Sequence, residues 1–487
     1  MILSKDFLVQ SFVNAKFVCS GKTLDLHEQW VFYNCGKDVD VAVDSRLVKH
    51  DDVFVALTGQ ATDGHVFLKN AVMQGASVFI VHKHDERVSV QLTPERIGNR
   101  LIILVDDTYK ALLDLTVAWR SHMKFPIIGI TGSVGKTSTK ELLRSIFQHA
   151  GLNFYVSYKN QNTFTGLCIN ILRVPLNCDV AAFEVGISKP GEMDIKADIL
   201  RPTIGLITYV AHAHLLDFGT LTNIAYEKRR LFKHFTSQNI GIVCGDQPLL
   251  TNVHYTHPIA KFGLKTKNQV QARKIKAVTT DDQFATTEFI FKWYREKQLI
   301  TMPNHHVGLI RNALAAGTIA YSLKISFDAV CKGIQSYAGF ENRFETKKIT
   351  GNRGLIVSDC YNANPESMRA AILAFDKMVA KGKKIAVLGD MLELGEKEDF
   401  WHRQIGRLLG KTETIDAVVL VGERSRMIAK TAPSCLTVEW TKCWQNAKDK
   451  LEALLPEKDS LVLVKASHGM VLNNIVDAVS DNQPYID

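Results

Sequence analysis

Short apolar runs alternate with longer amphipathic stretches along most of the chain, and the alternation falls into three blocks. In the first, Val41-Ala42-Val43, residues 52–57 and Ser77-Val78-Phe79-Ile80-Val81 read as strands. Residues 66–75 have the spacing of a helix, and a polar stretch over 82–100 separates this group from the strand at 101–105. Leu112, Leu113, Leu115 and Trp119 then recur on one side of a helix predicted over 107–122. The second block predicts strands at 179–185, 204–209 and 240–244 and a helix at 312–323, the pattern of a mostly parallel sheet. In the third, buried-looking strands at 355–357, 384–388, 417–421 and 461–464 alternate with helices such as 367–380 and 402–409. That is a doubly wound arrangement. The expectation is an α/β protein of three domains, spanning residues 1–106, 107–345 and 346–487.

The second block opens on Gly129-Ile130-Thr131-Gly132-Ser133-Val134-Gly135-Lys136-Thr137-Ser138, between the apolar run 125–128 and a helix-like Lys140-Glu141-Leu142-Leu143. Strand, glycine-rich loop and helix in this order define a phosphate-binding loop. Gly132 and Gly135 let successive N–H groups converge on an anion, aided by the helix N-terminus. Lys136 can reach the β and γ phosphates, and the Thr137 hydroxyl can ligate Mg²⁺. Ile130 stands where the widest form of the pattern has its first glycine. Glu184 ends an apolar run and is placed to hold Mg²⁺, although alone it reads equally as a surface residue opening the turn before Gly186. His214 ends another strand, and because imidazole is a poor first choice for Mg²⁺ its own chemistry leaves its role open.

Composition narrows the class further. The hydrophobic content of 46% and charged content of 22% over 487 residues belong to a water-soluble globular protein. No apolar run approaches the roughly 20 residues that span a bilayer, and the start lacks the pattern of a signal peptide. Nine cysteines without a C-x-x-C pair point to reduced thiols, hence a cytoplasmic location, and away from a disulfide framework or zinc site. The net charge of +9 contains no long basic block, so small anionic substrates are expected and nucleic acid is not.

Further segments give the chain its likeness. Asp44-Ser45-Arg46 and Asp63-Gly64-His65 lie in the first block, and Glu184-Val185-Gly186, Ala213-His214-Leu215 and 224–228 in the second. The third block carries Asp359-Cys360-Tyr361-Asn362-Ala363-Asn364-Pro365-Glu366-Ser367-Met368 and Leu388-Gly389-Asp390-Met391-Leu392-Glu393-Leu394-Gly395. Together these resemble the ATP-dependent Mur ligases of peptidoglycan synthesis over nearly the whole chain. The third-block runs are most similar to the branch that adds D-Ala-D-Ala to UDP-N-acetylmuramoyl tripeptide (UDP-MurNAc-tripeptide).

The resemblance implies a UDP-sugar-binding N-terminal domain with Ser45, Arg46, Asp63, Gly64 and His65 near the substrate, and a central phosphate-loop ATPase domain. It further implies a Rossmann-like C-terminal domain for the adenine side and the dipeptide. Residues 132–138 would hold the ATP phosphates, with Lys136 central to catalysis. Thr137 and Glu184 would bind one Mg²⁺, and His214 and Lys228 a second. Lys228 would be N-carboxylated, because a carbamate is an oxygen ligand suited to a hard cation. Asn312 would contact adenine, Arg343 phosphate, and Asp359 and Tyr361 the ribose side. The product would be UDP-MurNAc-pentapeptide, made through an acyl phosphate by a monomeric enzyme.

Several positions depart from the family pattern: Tyr209, Arg230, His306, Gly308, Asn342, Ser358, Ala466 and His468. None is a residue assigned to phosphate or metal, and they bear on the detail of the adenine pocket and the dipeptide site. The alternatives are another amide ligase of this type or a ligase resembling folylpolyglutamate synthase. Outside the ligases stand a phosphate-loop motor or transport ATPase, whose corresponding strand would end in Asp, and a nucleotide-binding protein without catalysis.

Overall fold

The computed structural model describes residues 1–12, 14–25, 36, 38–59, 62–158, 161–279, 285–303, 307–456 and 458–484. Strands of the first block are β1 (Lys16–Cys19), β2 (Lys22–Thr23), β3 (Val41–Ala42), β4 (Val53–Val55), β5 (Val78–His82) and β6 (Leu101–Val105). They form one sheet in the order β2-β1-β6-β5-β4-β3, parallel from β3 to β6 and closed at one edge by the antiparallel β1–β2 hairpin. Phe54, Phe79, Leu68 and Ala71 make its core. The helix expected over 66–75 is a 3₁₀ turn, Gly64–Phe67, running into an α-helix Leu68–Gln74 that stops at left-handed Gly75. The polar stretch 82–100 is more than a spacer. It holds two short helices, Glu86–Gln91 and Pro94–Ile97, whose charged surfaces hide the period.

The second block contributes β7 (Ile127–Thr131), β8 (Phe154–Val156), β9 (Val180–Glu184), β10 (Ile204–Ile207), β11 (Ile240–Cys244), β12 (Ile259–Gly263), β13 (Val270–Thr279), β14 (Ala285–Trp293) and β15 (Glu296–Pro303). β10 lies between β7 and β11 in parallel register, and β12 continues the parallel run. Such strands are covered on both faces, so β7 and β10 are buried throughout and read as unbroken apolar runs. β13, β14 and β15 extend the sheet as an antiparallel meander beyond the parallel part.

The third block holds β16 (Glu345–Ile349), β17 (Gly354–Asp359), β18 (Lys384–Gly389), β19 (Ala417–Val421), β20 (Thr437–Thr441), β21 (Ser460–Lys465) and β22 (Ser480–Pro484). Its sheet order is β20-β19-β18-β21-β17-β16-β22, parallel from β20 to β17 with an antiparallel margin at β16 and β22. The chain runs outward from β18 to β20 and returns to insert β21 between β17 and β18. The loops leaving β17, β18 and β21 therefore open at one end of the sheet, where α/β folds of this kind place ligands.

The architecture is thus three α/β sheets built from the three blocks, folded as two compact units. One contains residues 1–127, 153–185 and 195–202, the other 128–152, 186–194 and 203–487. The first unit is knit by the helix Thr108–Ser121, capped by Asp107, whose buried face carries Ala111, Leu112, Leu115 and Trp119, with Leu113 half-buried at its margin. Trp119 Nε1 donates to Val174 O at 3.2 Å, Arg120 Nε to Leu200 O at 2.6 Å, and Arg173 Nε to Asp40 at 2.8 Å. Among the described residues no helix is long and apolar enough to cross a membrane.

Candidate active site

In the second unit the phosphate loop joins β7 to the helix Lys136–His149. Gly132 has φ +150° and Gly135 φ +86°. A Cβ at Gly132 would sit 1.9 Å from Thr208 Oγ1, and one at Gly135 would sit 2.2 Å from Asn312 Oδ1. Both glycines therefore supply a backbone conformation and a close approach that no side chain allows. The segment after β10 buttresses the loop: Thr208 Oγ1 donates to Val134 O at 2.6 Å, Ser133 N to Tyr209 O at 2.7 Å, and Ser133 Oγ to Ala211 O at 3.1 Å. Lys136 Nζ donates to Gly132 O at 3.0 Å, folded over the loop it follows.

Two other elements converge there. Asn312, on the helix Val307–Ser322, packs against Gly135. Arg343 donates from Nη2 to the hydroxyl of buried Thr137 at 3.2 Å, and its guanidinium lies 3.7 Å from the centroid of the Tyr361 ring. Arg343 Nε is buried and has no hydrogen-bond partner among the described residues. Asp359, beside Tyr361, is held by Lys465 Nζ at 2.7 Å, and Lys465 also donates to Asn362 O at 3.1 Å.

The segment 208–215 is itself clamped. Gln247 accepts from Val210 N and donates to Val210 O, each at 2.8 Å, pairing like a neighbouring strand. Glu366 accepts from His212 N at 3.1 Å and also engages the His212 ring, which lies 4.3 Å from Trp401. Sequence reasoning gave no role to Thr208, Gln247 or Glu366, the last of them inside a matched run, because each matters through a partner distant in the chain. A Gln following a strand end carries no local signal, and the run that contains Glu366 does not disclose its contact with His212.

A cavity of about 130 Å³ opens beside this segment, lined by Ala213 and His214 after β10, Asn362 and Ala363 after β17, Leu392 and Glu393 after β18, and Ser467, His468 and Gly469 after β21. Ser467 joins three of these loops: its Oγ accepts from Leu392 N at 2.9 Å and donates to Ala363 O at 3.3 Å. His214 Nδ1 stands 2.6 Å from Glu393 Oε2 without the alignment of a hydrogen bond, and the imidazole beside it holds the Glu393 carboxyl below the usual carboxylate range. Lys228 is buried on the helix Leu221–Arg229 of the same unit.

The departures have local explanations. Asn342 occupies φ +56°, a conformation that glycine and asparagine both accept, and it accepts from Ser358 Oγ at 2.8 Å. Arg230 pairs with Asp194 at 2.6 Å. Tyr209 lies under Arg311 at 5.4 Å, and burial pushes its phenol up. Gly308 lies in the first turn of the helix Val307–Ser322, Ala466 is fully buried, and His468 is exposed at the cavity mouth. His306 lies outside the described residues.

In the first unit, Glu184 is buried at the end of β9, with its carboxylate accepting from Asn162 Nδ2 at 2.9 Å. Ser45 Oγ accepts from Asn70 at 3.0 Å, and exposed Arg46 pairs with Asp44 at 2.6 Å. His65 is 1% exposed, and both its ring nitrogens face inward: Nε2 accepts from His82 N at 2.9 Å and Nδ1 meets Asp63 Oδ1 at 2.7 Å. Asp63, His65 and Asp85 could together hold a cation, but the Arg87 guanidinium already pairs with both carboxylates. Burial alone would raise the Asp63 carboxyl, and the hydrogen bonds from His65 and Arg87 outweigh it, setting it at about 2.

A phosphate loop, a stacked arginine beside it and a cavity at the ends of a doubly wound sheet describe a nucleotide-dependent transferase or ligase. Comparison with known proteins makes this specific. The Mur ligase family catalytic domain matches residues 40–118, the Mur ligase middle domain 130–320, and the Mur ligase glutamate ligase domain 342–468. The chain is 32% identical over 440 residues to UDP-N-acetylmuramoyl-tripeptide–D-alanyl-D-alanine ligase of Bacillus subtilis (strain 168), covering 90% of this chain and 92% of that protein. The fold is similar to that of MurF from Acinetobacter baumannii, with a TM-score of 0.82, 24% identity and 98% of each chain covered. It is also similar to MurF ligase from Thermotoga maritima in complex with ADP, with a TM-score of 0.76, 25% identity, and 90% of this chain and 96% of that chain covered. The chain belongs to the Mur ligase family. It is therefore an ATP-dependent ligase that forms amide bonds.

Proposed function

We propose that the chain joins D-Ala-D-Ala to UDP-MurNAc-tripeptide with conversion of ATP to ADP and phosphate, acting in the cytoplasm as a monomer. The proposed domain borders are at residues 106 and 345. The observation that carries this reading is the 32% identity to the Bacillus subtilis enzyme over 92% of that protein's length.

The site's own residues fit a nucleoside triphosphate with magnesium. A Cβ at either loop glycine would collide with Thr208 or Asn312 and force the loop out of its anion-binding conformation, and the unpartnered Arg343 Nε has a donor to spare for an anion. We assign the phosphates to residues 132–138 and Arg343, the adenine side to Asn312, and the ribose side to Asp359 and Tyr361. Ser45, Arg46, Asp63, Gly64 and His65 are assigned to the UDP-sugar region, with His65 acting through the shape of its loop since its ring is enclosed. Thr137 and Glu184 offer hard oxygen donors, and a carbamate on Lys228 would add another, with His214 as the nitrogen donor. Two bound Mg²⁺ ions would supply charge neutralisation between triphosphate and carboxylate.

The tripeptide carboxylate attacks the γ-phosphorus, its P–O bond to ADP breaks, and an acyl phosphate forms. The D-Ala-D-Ala amine then attacks the acyl carbon, losing a proton, and phosphate departs with the former carboxylate oxygen. Lys136 holds the γ-phosphate charge as it moves. The third-block cavity bounds the amine and limits water around an intermediate that water would destroy. Isotope transfer tests this course: with ¹⁸O in the tripeptide carboxylate, released phosphate should carry one ¹⁸O per turnover. Phosphate labelled only from solvent would exclude the acyl phosphate.

A further inference from the structure

The cavity wall carries a side chain to which the proposed reaction gives no task. Glu393 Oε2 stands 2.6 Å from His214 Nδ1. That nitrogen is buried, and its N–H is not aligned as a hydrogen bond, but two lone pairs could not approach so closely and the proton therefore belongs on Nδ1; the side chain as a whole is 26% exposed, so the exposure belongs to the rest of the ring. Both residues hold left-handed backbones, φ +58° at His214 and +63° at Glu393. Non-glycine residues keep such conformations where their surroundings fix them. Here Leu216 N donates to Glu393 O at 3.1 Å, tying the two loops together at the backbone.

A neutral imidazole has one N–H and one lone pair, and a carboxylate at Nδ1 takes the N–H and leaves the lone pair on Nε2. Histidines that bind metals are commonly set by such a carboxylate. His214 follows β10 in the second block and Glu393 follows β18 in the third, so the pair spans both blocks within one unit.

We propose that Glu393 is a positioning residue that accepts the Nδ1–H of His214 and presents the Nε2 lone pair to a divalent cation, a role that rests on the ligase reading above. The cation site then becomes competent only when the loop after β18 is docked on the loop after β10. The neighbouring pair, His212 with Glu366, anchors the β10 loop independently, so loss of Glu393 should change the ring's tautomer without releasing the loop.

Two measurements on the full chain test this. In protein carrying ¹⁵N-imidazole histidine, with the His214 signal assigned by its loss in His214→Gln, the ring should be protonated at Nδ1. It should shift towards Nε2 protonation in Glu393→Ala and stay at Nδ1 in Glu393→Gln, whose amide oxygen accepts the same N–H. Titration with Mn²⁺ followed by electron paramagnetic resonance, in the presence of the β,γ-imido analogue of ATP, should show roughly 10- to 100-fold weaker binding in Glu393→Ala and partial recovery in Glu393→Gln. An unchanged tautomer and unchanged Mn²⁺ affinity in folded Glu393→Ala would overturn the role of Glu393. Unchanged affinity in His214→Ala would overturn the metal role of His214 itself, a failure of the underlying reading that the tautomer signal separates from a failure of Glu393.

Discussion

The phosphate loop and the third-block cavity lie in the same compact unit but are built in opposite ways. The loop is a backbone device: seven consecutive residues, 132–138, with two glycines and a helix N-terminus make an anion cradle. The cavity is a side-chain device assembled from four loops, with Ala213 and His468 more than 250 positions apart. A local backbone motif tolerates change everywhere but at its few fixed positions. A composite cavity spreads its specificity over many partners, each replaceable at moderate cost. Damage to the first should remove catalysis outright, and damage to the second should change which amine is accepted.

The largest effect is expected at Lys136. Lys136→Ala should lower turnover about a thousandfold or more with the melting temperature little changed, since the lost charge acts on the moving γ-phosphate. A folded variant keeping more than about a tenth of wild-type turnover, a barrier change under ~1.4 kcal/mol, would show that the loop is not the centre of catalysis. Lys228→Ala should be nearly inactive and partly restored by acetate or formate, which return an oxygen donor. Full activity without additive would remove the carbamate from the scheme.

Ser467→Ala addresses the other side of the comparison. It strips Leu392 N of its acceptor and unlinks two loops, an unsatisfied group worth about 1–3 kcal/mol. KM for the amine should rise about tenfold while KM for ATP stays within about twofold. A parallel rise in both would mean that cavity and loop are one device. The smallest effect is expected in the first unit. Asp63→Asn should cost about 1 kcal/mol of stability at neutral pH, allowing for solvent screening. Because the folded carboxyl is depressed to about 2, its contribution is full above the unfolded value near 4 and disappears as pH falls towards 2. Denaturant midpoints of the two proteins should therefore converge across that window.

The same contrast governs what the sequence disclosed. Buried parallel strands such as β10 and β19 stood out as apolar runs because both faces are covered. The loop residues were legible because the motif is contiguous. The β13–β15 meander went unread although Phe289, Phe291 and Trp293 alternate in its core. Its outer positions carry Lys and Glu, and the chain around it had already suggested a parallel sheet. The helices within 82–100 were hidden by short length and charge. Matched motifs carried His214 and Asp359 into the candidate site. Glu393 lay inside a quoted run, yet nothing in one dimension set it opposite His214. Partnership across 179 positions is a property of the fold.

The central claim is that the third-block loops shape a site for a dipeptide amine. It is tested most directly by kcat/KM for D-Ala-D-Ala against D-Ala, D-Glu, L-Lys and diaminopimelate, with ATP and UDP-MurNAc-tripeptide held constant. A site that pairs the second residue's peptide and carboxylate groups leaves buried partners unsatisfied with any single amino acid, at about 1.5–3 kcal/mol for a charged hydrogen bond plus the burial penalty. The account predicts at least about a hundredfold preference for the dipeptide. Comparable values for the dipeptide and any single amino acid would contradict it.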